Sequence, residues 1–244
     1  MRPLRIVIMG RGSFGRFLAS ALPKHFPQVR TRCIGGRTKG AALRKALAGA
    51  DAVVLAVPIR AYEEVAQRVA ASAPESAVVV DVATVKEATQ NIMRRWFGKR
   101  QWISLHPMFG PYSYHIKGGS LSGFTLVVTG YALPPRAAEA LRRAALRVGL
   151  VLKEMPPKTH DRLLARSLFL THYIGQIITK AGFSRTPIDT VSFGTLMQAV
   201  ESVRDDTELF ADVYRHNPYC EETIAAFERA ENKIHYLLRK CLRR

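Results

Sequence analysis

Gly10-Arg11-Gly12-Ser13-Phe14-Gly15 is a Gly-x-Gly-x-x-Gly run. It follows an apolar, β-branched stretch, Leu4–Met9, and precedes a helix-forming one, Phe14–Leu22. In that setting each glycine has a reason. The first permits a tight turn, the second lets the backbone approach a pyrophosphate, and the third lets helix and strand pack closely. The helix N-terminus beyond them offers unpaired N–H groups to phosphate oxygens. Gly10, Arg11, Gly12, Ser13, Phe14 and Gly15 are therefore expected to bind a dinucleotide. Val57 and Pro58, where the third strand stops, complete the expected contacts.

The second strand speaks to which dinucleotide. An acid at its end binds the ribose hydroxyls of NAD. Here Gly35-Gly36-Arg37-Thr38-Lys39 stands in that place, and no acid occurs from Val29 to Lys45. A guanidinium at Arg37 can fork onto a 2′-phosphate that a carboxylate would repel, and Thr38 adds a hydroxyl donor. The expected cofactor is NADP. A surface loop that is merely basic is the alternative.

Four further side chains could do proton chemistry. His106, in His106-Pro107-Met108-Phe109-Gly110-Pro111, follows the strand Trp102–Leu105. A histidine at the carboxyl end of a parallel strand faces the ligand crevice and can serve as a general base near neutral pH. Thr84, in Thr84-Val85-Lys86-Glu87, reads as a capping box for the next helix. It is also a hydroxyl able to bond substrate or the catalytic histidine. His160 and His172 fall on one expected helix, Thr159–Ala181. At about 100° per residue they lie about 120° apart, so one can face a cleft while the other does not. His172 sits among apolar residues and is expected to be buried, either as a satisfied core group or facing the site.

These groups need a scaffold. Strand-like runs at 4–9, 30–34, 52–57, 77–82, 102–105, 124–128 and 150–153 alternate with helical stretches. Runs so apolar imply strands buried on both faces, hence a doubly wound parallel sheet of the Rossmann kind. After Pro156-Pro157 strand signals cease, and helices are expected at 159–181, 190–203, 206–216 and 221–242. The expected domains are 1–154, binding the dinucleotide, and 155–244, helical.

The 244 residues carry a net charge of +18. Residues 1–154 hold 24 Lys and Arg against 8 Asp and Glu, whereas residues 155–244 hold 13 against 11. A basic half fits anionic ligands: a phosphate-bearing cofactor with an acidic substrate, or nucleic acid. No basic run interleaved with aromatics is present, which argues against nucleic acid. No run approaches the ~18 apolar residues of a membrane span. The apolar start at 4–9 is too short for a signal peptide and runs into the glycines, so the expected location is cytoplasmic. Three widely spaced cysteines, with no Cys-x-x-Cys pair, indicate neither a disulfide framework nor a metal site.

The combination resembles the prephenate/arogenate dehydrogenases of tyrosine biosynthesis. Its matching pieces are Gly10–Gly15, Asp81-Val-Ala-Thr-Val-Lys-Glu87, His106–Pro111, His160-Asp161 and Phe169-Leu-Thr-His-Tyr-Ile-Gly175. The stretch from Thr186 to Asn217 looks most like the plant-type arogenate enzymes. The resemblance implies an oxidative decarboxylation. Hydride passes from the hydroxyl-bearing ring carbon to the nicotinamide, a histidine takes the hydroxyl proton, and loss of CO₂ aromatises the ring. It assigns the base to His106, its hydroxyl partner to Thr84, and a substrate contact to His172. It also implies a homodimer through the helical domain. Phe193 stands where many prephenate-using bacterial enzymes carry an arginine, and Asp205 falls on an acidic position of the arogenate enzymes. Arogenate is thus the expected substrate, with Asp205 contacting its ammonium. The His-Pro-Met-Phe-Gly run argues against an imine reductase or a β-hydroxyacid dehydrogenase of similar build.

Overall fold

The computed structural model describes residues 2–242. By its internal contacts the chain divides into two compact units, one ending at His160 and one beginning at Asp161. That division lies six residues beyond the expected one at 154/155. The first turn of the helix beginning at Pro157 stays with the sheet, because the His160 ring bonds a residue of the sheet unit.

The first unit holds seven strands: β1 (Leu4–Met9), β2 (Val29–Ile34), β3 (Ala52–Leu55), β4 (Val78–Asp81), β5 (Trp102–Pro107), β6 (Thr125–Ala132) and β7 (Val151–Glu154). They form one sheet in the order β2-β1-β3-β4-β5-β6-β7. β1 to β5 are mutually parallel. β6 runs antiparallel to β5, and β7 runs parallel to β6. The expected doubly wound parallel sheet is present in β1 to β5, and β6 and β7 run the other way. A parallel return needs a long crossover, usually a full helix. Between β5 and β6 stands only a six-residue helix, Pro111–Ile116, which the sequence pattern did not reveal.

The helices α1 (Ser13–His25), α2 (Gly40–Leu47), α3 (Tyr62–Ala70) and α4 (Lys86–Phe97) connect β1 to β5; α5 is Pro111–Ile116 and α6 (Pro135–Arg147) joins β6 to β7. Their apolar stripes account for their docking. Tyr62, Val65, Ala66 and Val69 of α3 recur at helical spacing, and all are buried. Val53, Leu55 and Val79 of the central strands share one face and are fully buried, and Val54 and Ile103 on the opposite face are buried too, so the middle of the sheet is covered on both sides.

The second unit is helical. The expected single helix Thr159–Ala181 is α7 (Pro157–Leu164), a π-helical turn at Ala165–Phe169, and α8 (Leu170–Lys180). The wide turn breaks the regular 3.6-residue repeat, so the angular count applied to His160 and His172 does not hold. α9 (Val191–Val203), α10 (Thr207–His216) and α11 (Cys220–Cys241) complete the unit. Gly175 of α8 lets α9 approach: a Cβ there would lie 2.5 Å from Val203 Cγ2. Among the described residues no helix is long and apolar enough to cross a membrane.

Candidate active site

β1, β3, β4 and β5 end on the same edge of the sheet, and the residues singled out for chemistry in this unit stand along it. Gly10 follows β1 with φ +124°, a conformation natural to glycine alone, and a Cβ there would lie 2.0 Å from the Ala56 carbonyl oxygen. A Cβ at Gly15 would lie 1.9 Å from the Gly10 oxygen, so α1 could not dock on the turn. Both glycines are thus explained by the protein itself. Gly12 is not: it has φ −65° and ψ 177°, and a Cβ there meets nothing within 4 Å. The space beside Gly12, at the N-terminus of α1, is where a pyrophosphate would lie, and the cradle fits a dinucleotide.

The loop after β2 lies beside this cradle. Arg37 is exposed, Thr38 is half-buried, and the Thr38 N–H donates to the Gly35 carbonyl at 3.0 Å. Arg68 of α3 clamps this loop from behind, donating to the Thr38 carbonyl and to the Gly36 carbonyl, each at 2.7 Å. Arg11 is exposed and reaches the Cys33 carbonyl at 3.5 Å. Val57 is buried against Gly36, and Pro58 is exposed at the start of the turn leading to α3. Arg68 escaped the sequence reading because it lies 31 residues beyond Arg37 on a helix whose pattern showed only amphipathicity.

His106 lies at the carboxyl end of β5 and is buried. Its Nδ1 is 2.8 Å from Nε2 of His160, which is buried as well. Below it lies a charged pair with no exposure: Lys86 Nζ bonds Asp81 Oδ2 at 2.7 Å and the Leu105 carbonyl at 2.8 Å. Asp81 also accepts from the Ala83 N–H, the Thr89 hydroxyl and the Ser104 hydroxyl. Burial above all, then the His160 ring and the Lys86 ammonium, hold the His106 imidazole well below the usual histidine range. It is therefore neutral at pH 7, as a general base must be.

Residues 28–153 match the prephenate dehydrogenase nucleotide-binding domain, and residues 177–244 match the TYRAAT1-like C-terminal domain. The chain belongs to the prephenate dehydrogenase family. It is 29% identical over 253 residues to a chloroplastic arogenate dehydrogenase of Arabidopsis thaliana, covering 95% of this chain and 69% of that protein. A second Arabidopsis arogenate dehydrogenase is 27% identical, covering 92% of this chain and 37% of the other. In fold it is similar to the prephenate dehydrogenase of Aquifex aeolicus solved with hydroxyphenyl propionate and NAD⁺. The TM-score is 0.75 at 19% identity, over 98% of this chain and 92% of that one.

For a dehydrogenase of this family, some expected residues need correction. Thr84 is half-buried beyond β4, but α4 starts after Val85 and takes no side-chain cap, so the capping box does not form. The residue that His106 bonds is His160, not Thr84. The partners that position His106 were visible in the sequence only as parts of motifs, since neither buried ion pairing nor ring contact leaves a periodic trace.

The helical unit holds His172 and Asp205. His172, on α8, is buried and its ring stacks on Phe210 with an interplanar angle of 4°. Its Nδ1 is buried without a hydrogen-bond partner among the described residues. Burial holds its imidazole below the usual range, and the Asp206 carboxylate opposes that shift. Asp205 has a side chain 91% exposed that lies 3.7 Å from the guanidinium of its neighbour Arg204, and Asp206 is exposed as well. Asp206, at the start of α10, is the acid whose charge reaches His172, and its side chain does not cap the helix.

Proposed function

We propose that this chain oxidatively decarboxylates arogenate with NADP, giving tyrosine. The observation that carries the reading is a neutral, buried His106 on the same sheet edge as a glycine cradle that the fold leaves open at Gly12. Gly10, Gly12, Gly15 and the N-terminus of α1 would hold the pyrophosphate, with Arg11, Ser13, Phe14, Val57 and Pro58 around it. Arg37 and Thr38 would hold the 2′-phosphate, on a loop whose shape Arg68 fixes. The bound nicotinamide supplies a hydride acceptor. His106 Nε2 takes the proton of the substrate hydroxyl, and departure of CO₂ leaves the ring aromatic. Thr84 keeps a role as a hydroxyl at the crevice, contacting substrate rather than His106. His172 keeps the substrate contact that the family resemblance gives it.

The choice of arogenate rests on Phe193 in place of an arginine and on Asp206, an exposed acid whose charge acts on His172. An acid favours an ammonium over the neutral keto group of prephenate. One assay tests the proposal: arogenate and prephenate, each with NADP and with NAD, followed by absorbance of the reduced cofactor. Turnover that is fastest with arogenate and NADP is expected. Faster turnover with NAD, or with prephenate, overturns the corresponding half.

The functional form on this reading is a homodimer through the helical unit. Ile234, Leu237 and Leu238 of α11 are each more than half exposed, as are Phe183, Ile188 and Val191 before and at the start of α9. Exposed apolar side chains in this number support an association surface on that reading.

A further inference from the structure

We propose that His160 is the positioning residue of His106: its Nε2 accepts the Nδ1–H of His106, which leaves Nε2 of His106 bare to receive a proton. The inference rests on the reading of His106 as the base. Its observation is geometric. The two rings meet edge to face, with Nδ1 and Nε2 2.8 Å apart and centroids 5.0 Å apart, and both are buried. A contact of that length between two imidazole nitrogens holds one proton, so one ring donates and the other accepts. If His160 were the donor, Nδ1 of His106 would be bare and its proton would sit on Nε2. That ring could give a proton but not take one. With His106 as donor, Nε2 is the basic atom.

The surroundings act in the same sense. His160 enters from the first turn of α7, where its own N–H bonds the Pro156 carbonyl at 3.0 Å, so the ring is delivered by a fixed backbone. The Lys86 ammonium, paired with Asp81, faces His106 from α4 and disfavours a resident positive charge on the imidazole pair. When Nε2 takes the substrate proton, the hydrogen bond to His160 lets the second ring share the imidazolium charge. This is the division of labour of a base and its orienting partner, in which the partner sets the tautomer and need not itself be protonated.

The test uses ¹⁵N-histidine-labelled protein with bound NADP, the His106 signals being assigned by their loss in H106N. In wild type, Nε2 of His106 should resonate as an unprotonated ring nitrogen and Nδ1 as a protonated one. Replacing His160 by Leu should abolish that preference and lower kcat about 10²-fold, within the range a positioned base contributes. KM and NADPH affinity should stay within about twofold, and the apparent pKa of the acid limb should shift. H160Q, whose Oε1 still accepts from Nδ1, should restore the tautomer and most of the turnover. A wild-type His106 protonated on Nε2 overturns the proposal without any variant. So does H160L with wild-type tautomer and turnover. An H160L variant that loses the tautomer while H106N retains turnover refutes the role of His106 as base and leaves the orienting contact standing.

Discussion

Gly12→Ala separates the cofactor site from the fold. The backbone at Gly12, φ −65° and ψ 177°, is open to alanine, and the added methyl meets no protein atom within 4 Å. Folding should therefore barely change: the restricted unfolded chain favours alanine by ~0.4–1 kcal/mol, and the poorer helix N-cap that alanine makes opposes it by a similar amount. The methyl does stand where a pyrophosphate must approach. Forcing an extra methyl into a close-packed contact costs ~1–3 kcal/mol, so NADPH affinity should fall by about 5- to 150-fold. Gly15→Ala is the opposite case, since its methyl would lie 1.9 Å from the Gly10 oxygen. A clash with backbone cannot be relieved by a rotamer change, and the fold should lose at least ~1–3 kcal/mol. At roughly 2–4 °C per kcal/mol for a chain of this size, its Tm should fall by several degrees. Thermal unfolding by circular dichroism and NADPH fluorescence titration read the two effects separately. A Gly12→Ala protein of unchanged Tm that binds NADPH as tightly as wild type refutes the assignment of this loop to the cofactor.

Arg37→Asp should weaken NADP binding by ~1.5–3 kcal/mol or more while sparing NAD. Arg68→Met should weaken NADP affinity too, by loosening the Gly36–Thr38 carbonyls it clamps; isothermal titration with both dinucleotides checks the pair. His106→Asn should cut turnover by about 10²–10⁴ at unchanged cofactor affinity. Because His106 is held well below its ordinary value, the acid limb of kcat/KM in wild type should lie below pH ~6.5, and a limb above that pH contradicts the burial argument. Asp206→Asn should shift the kcat/KM ratio of arogenate to prephenate by about tenfold toward prephenate, roughly 1.4 kcal/mol, and Asp205→Asn should leave it unchanged. Light scattering at micromolar concentration should give a dimer mass, and a Leu237→Glu, Leu238→Glu double variant a monomer; a wild-type monomer refutes the dimer.

The sequence made the parallel part of the sheet legible because β3, β4 and β5 lie inside the sheet and read as short apolar runs between amphipathic helices. It made Gly10–Gly15 legible because close approach and a positive φ admit one residue type. The reversal at β6 was hidden, since a strand's direction leaves no mark on its composition. The π turn at Ala165–Phe169 was hidden too, because apolar residues continue through it and only the backbone repeat changes. For the site, residue type and strand end located His106. Its partners depend on which buried groups face one another, which neighbour order does not encode. Asp205 and Asp206 make the same point: two identical, exposed side chains in succession, one beside Arg204, the other acting by its charge on His172.

The charge that tunes His106 is itself expensive to bury. Lys86 has no exposure, and the fold tolerates its ammonium because Asp81 lies 2.7 Å away and the Leu105 carbonyl accepts a second bond. Asp81 is satisfied in turn by Thr89, Ser104 and the Ala83 N–H, and Ser104 accepts from Thr129 on β6. Residues of β4, α4, β5 and β6 thus converge on one carboxylate. Losing one partner of such a pair costs ~3–5 kcal/mol, through the uncompensated charge left behind. His106 couples to stability in the same way. Its folded-state pKa is depressed, so the stability it contributes is complete above the unfolded value of ~6.5 and is lost as pH falls through the folded value. The same burial that keeps the imidazole neutral for proton abstraction therefore makes the unprotonated form the folded one, and the buried network beneath it serves the chemistry and the fold together.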